Sequence, residues 1–204
     1  MKLIGVTQRI DYLPNRNEVR DGLDQRVNLF LVSCGYLPIP IPNSLPEIYS
    51  PGVYKFDRLV GWLEKTRPNG IFLSGGNNLG AFDLRDKTEF FLLDYAKINK
   101  LPVLGICRGM QIIGSHAGSR LKLVEGHASV KHEIKGEVNG EVNSYHNYSL
   151  AECPQGFRIL SKSIEGEIEA IRAWNLNWEG WMWHPEREHE FNARDIHRLI
   201  NIFK

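Results

Sequence analysis

Cys107 lies in the segment Leu104-Gly105-Ile106-Cys107-Arg108-Gly109-Met110-Gln111, where a short apolar run meets a helix-like stretch. Gly105-x-Cys107-x-Gly109 repeats the spacing of the G-x-S-x-G nucleophile elbow, with sulfur replacing oxygen. The glycines have a steric role, because a sharp strand-to-helix turn brings neighbouring backbone where a Cβ would collide. The same turn aims the first amide N–H groups of a helix, and its positive end, at the sulfur. That favours a thiolate and prepares a place for a developing oxyanion. The pattern alone also fits a buried structural cysteine, so the partners decide. A thiol nucleophile needs a base and a group that orients the base. Trp183-His184-Pro185-Glu186 offers both: His184 ends a strand-like run, and Glu186 can return its carboxylate to Nδ1, leaving Nε2 for the sulfur. Alone, His-Pro-Glu also reads as a surface turn. Phe72-Leu73-Ser74-Gly75-Gly76-Asn77-Asn78 is a strand end opening into a Gly-Gly loop, a way to expose amide N–H groups to an anion, or simply a turn.

The elements that must position these groups alternate along the first two-thirds of the chain. Residues 3–6, 37–41, 70–73 and 102–106 read as strands, the second interrupted by prolines and therefore expected at a sheet edge. Residues 19–34, 56–65, 86–99 and 110–117 read as helices. Their expected inner faces are Leu23, Val27, Leu29, Phe30 and Leu31, then Leu59, Val60 and Leu63, then Phe90, Leu93 and Ile98. This order predicts an α/β fold: a doubly wound, mainly parallel central sheet with helices on both faces. After Gly118 the segments 121–124, 130–134, 137–143, 157–163, 167–173 and 178–183 read as short strands of a small antiparallel region, and 193–203 as an amphipathic helix.

A chain of 204 residues without repeats, linkers or low-complexity tracts is expected to form a single domain, 1–204. Its net charge of +1 gives no reason to expect nucleic acid as a partner. The opening apolar run is too short for a signal peptide, and no stretch approaches the roughly 20 residues that span a bilayer, so no membrane association is expected. Cys34, Cys107 and Cys153 form neither a disulfide framework nor a metal pattern, which suits a cytoplasmic protein with reduced thiols. Cys34 and Cys153 are read as structural, and His116 and the tryptophans as packing residues. His127, His132, His189 and His197 lack metal-ligand spacing and are read as surface groups, so no metal is expected.

The three blocks around Gly75-Gly76, Cys107 and His184, in this order, resemble the class I glutamine amidotransferase-like superfamily (flavodoxin-like), over the whole chain. The resemblance implies a Cys107-His184-Glu186 triad and an oxyanion hole from the backbone N–H of Gly76 and Arg108. It implies substrate contacts at Gly75 and at Gln111, four residues after the cysteine. Val142-Asn143-Ser144-Tyr145-His146-Asn147-Tyr148 is similar to the block that holds the glutamyl α-amino and α-carboxyl groups, which implies main-chain contacts at Asn147 and Tyr148 and places His146 beside the substrate. It implies no cofactor.

Thr7-Gln8-Arg9, the Gly-Ile-Cys-Arg-Gly-Met-Gln elbow and the Val-Asn-Ser-x-His block resemble the γ-glutamyl hydrolase branch. Its members cleave a substituted γ-glutamyl amide and release the amine to solvent. Asn77-Asn78-Leu79-Gly80 stands where that branch usually has an Asp-rich loop, which counts against a polyamine-pathway substrate. The compact length and the Asn-Asn loop are most similar to γ-glutamyl-CDP-amidate hydrolases of capsule phosphoramidate synthesis. The partner implied is a small γ-glutamyl substrate, with no obligatory synthetase; a homo-oligomer is compatible with this reading. The alternatives are a glutaminase subunit feeding ammonia to a synthetase, a γ-glutamyl-GABA-type hydrolase, and a non-catalytic binding module. For a nucleotide leaving group, Arg9, Arg16 and Lys131 are the cationic candidates, and residues 79–86 together with the strands after Gly118 are expected on the acceptor side of the pocket.

Overall fold

Short apolar runs too buried to face water on either side are best satisfied at the centre of a helix-covered sheet, and four such runs lie side by side here. The computed structural model describes residues 1–204. In chain order its first half comprises β1 (Lys2–Thr7), the hairpin of β2 (Arg9–Leu13) and β3 (Glu18–Gly22), α1 (Gln25–Ser33), β4 (Tyr36–Ile41), and a second hairpin, β5 (Glu47–Ser50) with β6 (Val53–Lys55). There follow α2 (Asp57–Thr66), β7 (Gly70–Leu73), α3 (Asp83–Ile98), β8 (Val103–Ile106) and α4 (Arg108–His116). The second half comprises β9 (Leu121–Leu123), β10 (Ala128–Gly136), β11 (Gly140–Tyr145), β12 (Tyr148–Leu150), β13 (Phe157–Ser163), β14 (Ile168–Ala173), β15 (Trp178–Trp181) and α5 (Ala193–Ile202).

Nine strands form one mixed sheet in the order β11-β10-β13-β14-β15-β8-β7-β1-β4. The five from β15 to β4 run parallel, and those from β11 to β15 pair antiparallel. The antiparallel strands therefore extend the central sheet, whereas β9 and β12 pair in a ribbon of their own. The switch has a chain-geometric cause. Parallel neighbours need a long crossover, and no helix stands between α4 and α5 to supply one, so successive strands join by hairpins. β4 lies at the edge, where the missing N–H groups of Pro38 and Pro40 break no inner ladder.

Alternating residues of the parallel strands feed two cores. Ile4, Val6, Phe72, Leu104 and Ile106 meet Val27, Phe30 and Leu31 of α1 and Leu199 and Ile202 of α5. Ile71, Leu73 and Val103 meet Leu59 and Leu63 of α2, Leu92, Leu93 and Ala96 of α3, and Ile112 and Ile113 of α4. The sheet is thus covered on both faces, and each fully buried Leu or Ile contributes about 1.5–3 kcal/mol of transfer free energy.

The expected helix 19–34 is shorter than its apolar spacing suggests. Residues 18–22 form β3, with Asn17 left-handed in the turn (φ 47°), and Asp24 caps α1 by accepting the Arg26 N–H at 2.9 Å. Leu29 and Ile98, expected on inner faces, are exposed, and Val60 and Phe90 are half-buried. No helix is long and apolar enough to cross a membrane.

Candidate active site

Parallel strands share one carboxyl-terminal edge, and the crevice beyond it is where such sheets bind ligands. β1, β7, β8 and β15 end there in Thr7, Leu73, Ile106 and Trp181, and the loops that follow them carry Arg9, Gly75-Gly76, Cys107 and His184.

Cys107 sits between β8 and α4 with φ 50° and ψ −109°, a left-handed setting that costs a non-glycine residue on the order of 1–3 kcal/mol. Tight packing around the turn imposes it. A Cβ on Gly109 would lie 2.2 Å from the Leu73 carbonyl oxygen, and one on Gly105 would lie 2.4 Å from the backbone of Gly109. The Cys107 N–H donates to the Trp181 carbonyl at 2.7 Å, locking the turn to β15. The first intrahelical bond of α4 runs from Gln111 N–H to Cys107 O, so the Arg108 N–H has no acceptor within the helix.

His184 is buried, and its Nδ1 lies 2.7 Å from Glu186 Oε1. Its main chain is held from both sides by Asn143, which accepts the His184 N–H at 2.9 Å and donates to the His184 carbonyl at 2.8 Å. Burial disfavours the imidazolium, but the Glu186 carboxylate and the Cys107 sulfur outweigh it and raise the His184 pKa to about 9. The ring is therefore cationic at neutral pH beside a sulfur, an arrangement that stabilises a thiolate. Gly75 makes room for it, since a Cβ there would stand 2.6 Å from His184 Cε1.

The Gly75-Gly76 loop is shaped from beneath by an arginine. Arg85, fully buried, donates to the carbonyls of Ser74 (3.0 Å) and Gly75 (2.9 Å) and to Asn77 Oδ1 (3.0 Å). With those carbonyls turned down, the Gly76 N–H donates to no protein atom, and Gly76 adopts φ +95°. Asn77 ties the loop to β2, accepting from Ile10 N–H at 2.8 Å and donating to Ile10 O at 3.0 Å. Glu89 lies between Arg85 (3.1 Å) and Arg108, and Arg108 also pairs with Asp86. Burial alone would raise the Glu89 carboxyl, but the two guanidinium groups hold it below its ordinary value.

A small cavity of about 130 Å³ holds Cys107, His184, Gly76, Arg108, Gln111, Asn147 and Tyr148 on its walls, bringing together every expected site residue except Gly75 and Glu186. Those two line a neighbouring cavity of about 290 Å³ with Arg9 and Arg187, and the two cavities meet at Gly76, His184 and Arg187. Gln111 is fixed by donating to the Tyr148 carbonyl at 3.0 Å.

The matching family model, described as "Glutamine amidotransferase class-I", covers residues 43–201. The chain belongs to this family. The γ-glutamyl-CDP-amidate hydrolase of Campylobacter jejuni is 28% identical over 95% of this chain and 94% of its own. One subunit of the glutamine-hydrolysing GMP synthase of Thermococcus kodakarensis is 27% identical over 67% of this chain and 76% of its own. A solved structure from Thermoplasma acidophilum, described as a GMP synthase subunit, shares the fold, with a TM-score of 0.72 at 21% identity over 100% of this chain and 94% of that one.

Class I amidotransferases are cysteine-dependent amide hydrolases, and in this one the fold brings a strained cysteine, a charged histidine and a carboxylate into one line. Three expectations need correction. His127 is buried, and the His132 ring is largely so, because both pack in the antiparallel part of the sheet. Lys131 pairs with Glu188 at 3.0 Å away from the cleft, and Arg16 is exposed at a hairpin tip. Residues 79–86 do not face the pocket: Asp86 accepts the Gly80 N–H at 2.7 Å and turns inward to Arg108. Trp181 and Trp183 take the expected packing role, stacking at 5.4 Å within the core.

Sequence reasoning missed Arg85, Glu89, Asn143 and Arg26. Arg26 donates to the Glu186 carbonyl at 2.7 Å and to that of Glu188, clamping the turn that carries the carboxylate. The only trace of the buried pair was the i,i+4 spacing of Arg85 and Glu89 on the apolar face of α3, a spacing that usually denotes a solvated pair.

Proposed function

We propose that this chain is a free-standing γ-glutamyl amide hydrolase whose nucleophile is Cys107. The observation that carries it is the alignment of a left-handed Cys107 at a helix N-terminus with His184, raised to about 9, and Glu186. The Cys107 thiolate attacks the γ-carbonyl carbon, and its oxygen takes the negative charge. The N–H groups of Gly76 and Arg108 receive that charge, each worth about 3–4 kcal/mol by the usual cost of removing such a donor. The C–N bond then breaks as His184 transfers its proton to the leaving nitrogen, giving a γ-glutamyl thioester. Water, deprotonated by the now neutral His184, adds to the thioester and expels the sulfur, releasing L-glutamate. Gln111 and the main chain of Asn147 and Tyr148 hold the glutamyl end, with Gly75 beside the reacting carbonyl.

The substrate proposed is γ-L-glutamyl-CDP-amidate, giving cytidine diphosphoramidate for capsule phosphoramidate synthesis in the cytoplasm. The similarity to the Campylobacter jejuni hydrolase, which spans nearly both chains, supports it; the larger cavity beyond His184 offers room for the leaving group, with Arg187 on its wall beside Arg9, itself paired with Asp11. On this reading the partner is a small molecule, not nucleic acid, a membrane or an obligatory synthetase. A second reading, a glutaminase supplying ammonia to a synthetase, is favoured by the similarity to GMP synthase subunits.

Glutamate release from glutamine, γ-glutamyl-GABA and γ-glutamyl-CDP-amidate, with Cys107→Ala as control, separates these readings. The expected result is preference for the CDP-amidate by the isolated chain and no turnover by the variant. Preference for glutamine, stimulated by a synthetase, would establish the second reading instead; equal turnover by Cys107→Ala would remove the nucleophile.

A further inference from the structure

Apart from the reacting groups and the Arg85-Glu89-Arg108 cluster, a second collection of buried titratable side chains lies on the antiparallel half of the sheet. His127 precedes β10, His132 lies on it, His146 follows β11, and Glu169 lies on β14, so three separate stretches of chain converge. The four side chains are between 0% and 13% exposed. His127 Nδ1, His132 Nε2, His146 Nε2 and both oxygens of Glu169 are buried without a hydrogen-bond partner. Leaving five polar atoms unpaired in one spot is costly, at about 1–3 kcal/mol for each such group, so their convergence calls for a ligand.

The spacing indicates which one. His127 Nδ1 and His146 Nε2 each lie 3.5 Å from Glu169 Oε1, and His132 Nε2 lies 3.5 Å from Oε2. That is long for a charge-assisted hydrogen bond, which closes to about 2.7–2.9 Å. The two distances to Oε1 match the edge of a tetrahedron with metal–ligand bonds of about 2.0–2.1 Å, which is about 3.4 Å, while His132 approaches the same carboxylate from its Oε2 side. The ligating atoms of His127, His132 and Glu169 all lie within 4.8 Å of one another, so an ion at the centre would draw the widest pair inward.

The shell around the cluster is prepared as well. His146 Nδ1 lies 3.1 Å from the Tyr148 carbonyl, which can only accept, so Nδ1 carries the proton and the Nε2 lone pair points into the cluster. Metal-ligating histidines almost always have their second nitrogen fixed in this way.

We infer that His127, His132, His146 and Glu169 bind one zinc ion in a closed, structural site. Three imidazoles with a carboxylate suit Zn²⁺, and four protein ligands leave no open position for catalysis. The ion would act on the neighbouring cavity through position alone. The Tyr148 carbonyl receives both His146 and Gln111, so fixing His146 fixes the main chain at Asn147 and Tyr148 on the cavity wall. The inference concerns metal binding and stands whether or not the chain cleaves γ-glutamyl amides.

The test is metal content rather than turnover. Metal-free full-length protein is incubated with Zn²⁺, freed of excess and measured by elemental analysis, with about one zinc per chain expected. Glu169→Gln and His132→Ala should each lower retained zinc by roughly tenfold or more, in line with loss of a ligand. Co²⁺ added to the wild type should give the intense visible bands of a four-coordinate ion, and X-ray absorption of the zinc form should report three imidazoles and one oxygen, which covers the case of variants that fail to fold. Absence of stoichiometric zinc in the wild type, a six-coordinate cobalt spectrum, or uptake unchanged in both folded variants would each overturn the inference.

Discussion

Replacing Glu186 by Gln keeps the volume beside His184 Nδ1 and removes only the charge. Glu186 is buried, its Oε2 has no partner, and Arg187 stands 3.8 Å from Oε1, too far and too exposed to replace what is lost. With the carboxylate gone, burial of His184 acts against its charge with less opposition, and its pKa should fall from about 9 to 6.5 or below. At about 1.36 kcal/mol per pH unit, that gap is worth about 3 kcal/mol of preference for the imidazolium, or roughly a 10²–10³-fold change in the ratio of imidazolium to neutral imidazole. At pH 7.5 the cationic share of this histidine would fall from nearly all to about one-tenth, and glutamate release should drop by about tenfold or more in kcat/KM. The alkaline limb of the profile should move from near pH 9 toward neutrality. Stability gives a second readout. In the wild type the native state holds the His184 proton between pH 6.5 and about 9 while the unfolded chain has released it. The stabilisation is therefore complete below pH 6.5 and is lost as pH rises through about 9, at up to about 1.36 kcal/mol per pH unit. Urea titrations across this range should show that loss in the wild type and not in the variant. An alkaline limb that stays near pH 9, with kcat/KM within about threefold of wild type, would refute the argument from linkage.

Three further perturbations test other joints. Gly75→Ala needs no unusual φ but sets a Cβ 2.6 Å from His184 Cε1, so the imidazole must shift; kcat should fall by about 10²-fold, and a fully active variant would contradict the geometry. Glu89→Gln leaves Arg85 and Arg108 short of one buried carboxylate, so unfolding free energy should fall by about 3–5 kcal/mol and Tm by roughly 6–20 °C, measured by calorimetry. Because the Glu89 carboxyl is held below its ordinary value, its contribution is present above the unfolded-state pKa and is lost as pH falls through the native one, so wild type and variant should converge in acid. Arg26→Ala frees the Glu186 and Glu188 carbonyls; kcat should fall more than KM rises, and Arg26→Lys should restore only part of it, because one ammonium lacks the guanidinium fork.

The catalytic elbow was legible in the sequence because its demands are local. A turn that tolerates no Cβ at 105 or 109 must write glycine there, and a carboxylate that reaches a histidine two residues away needs no long-range fold to find it. Buried strands were legible for the same reason, since their apolar runs admit few other places. The exposed Leu29 and Ile98 show the limit: helical spacing marks a stripe, but the packing partner decides how much of it is covered. Arg85, Glu89 and Arg108 read as surface charges until α3 packs beside α4 and buries all three under the Gly75-Gly76 loop. His127, His132, His146 and Glu169 read as unrelated until β10, β11 and β14 take their places in one sheet. The sequence by itself determined the candidate nucleophile, its candidate base and the parallel strands that carry them, since each rests on sterics within a few residues. The tertiary structure alone decided which charges became buried supports, where the two cavities meet and which histidines converge, because those depend on segments brought together across tens of residues of intervening chain.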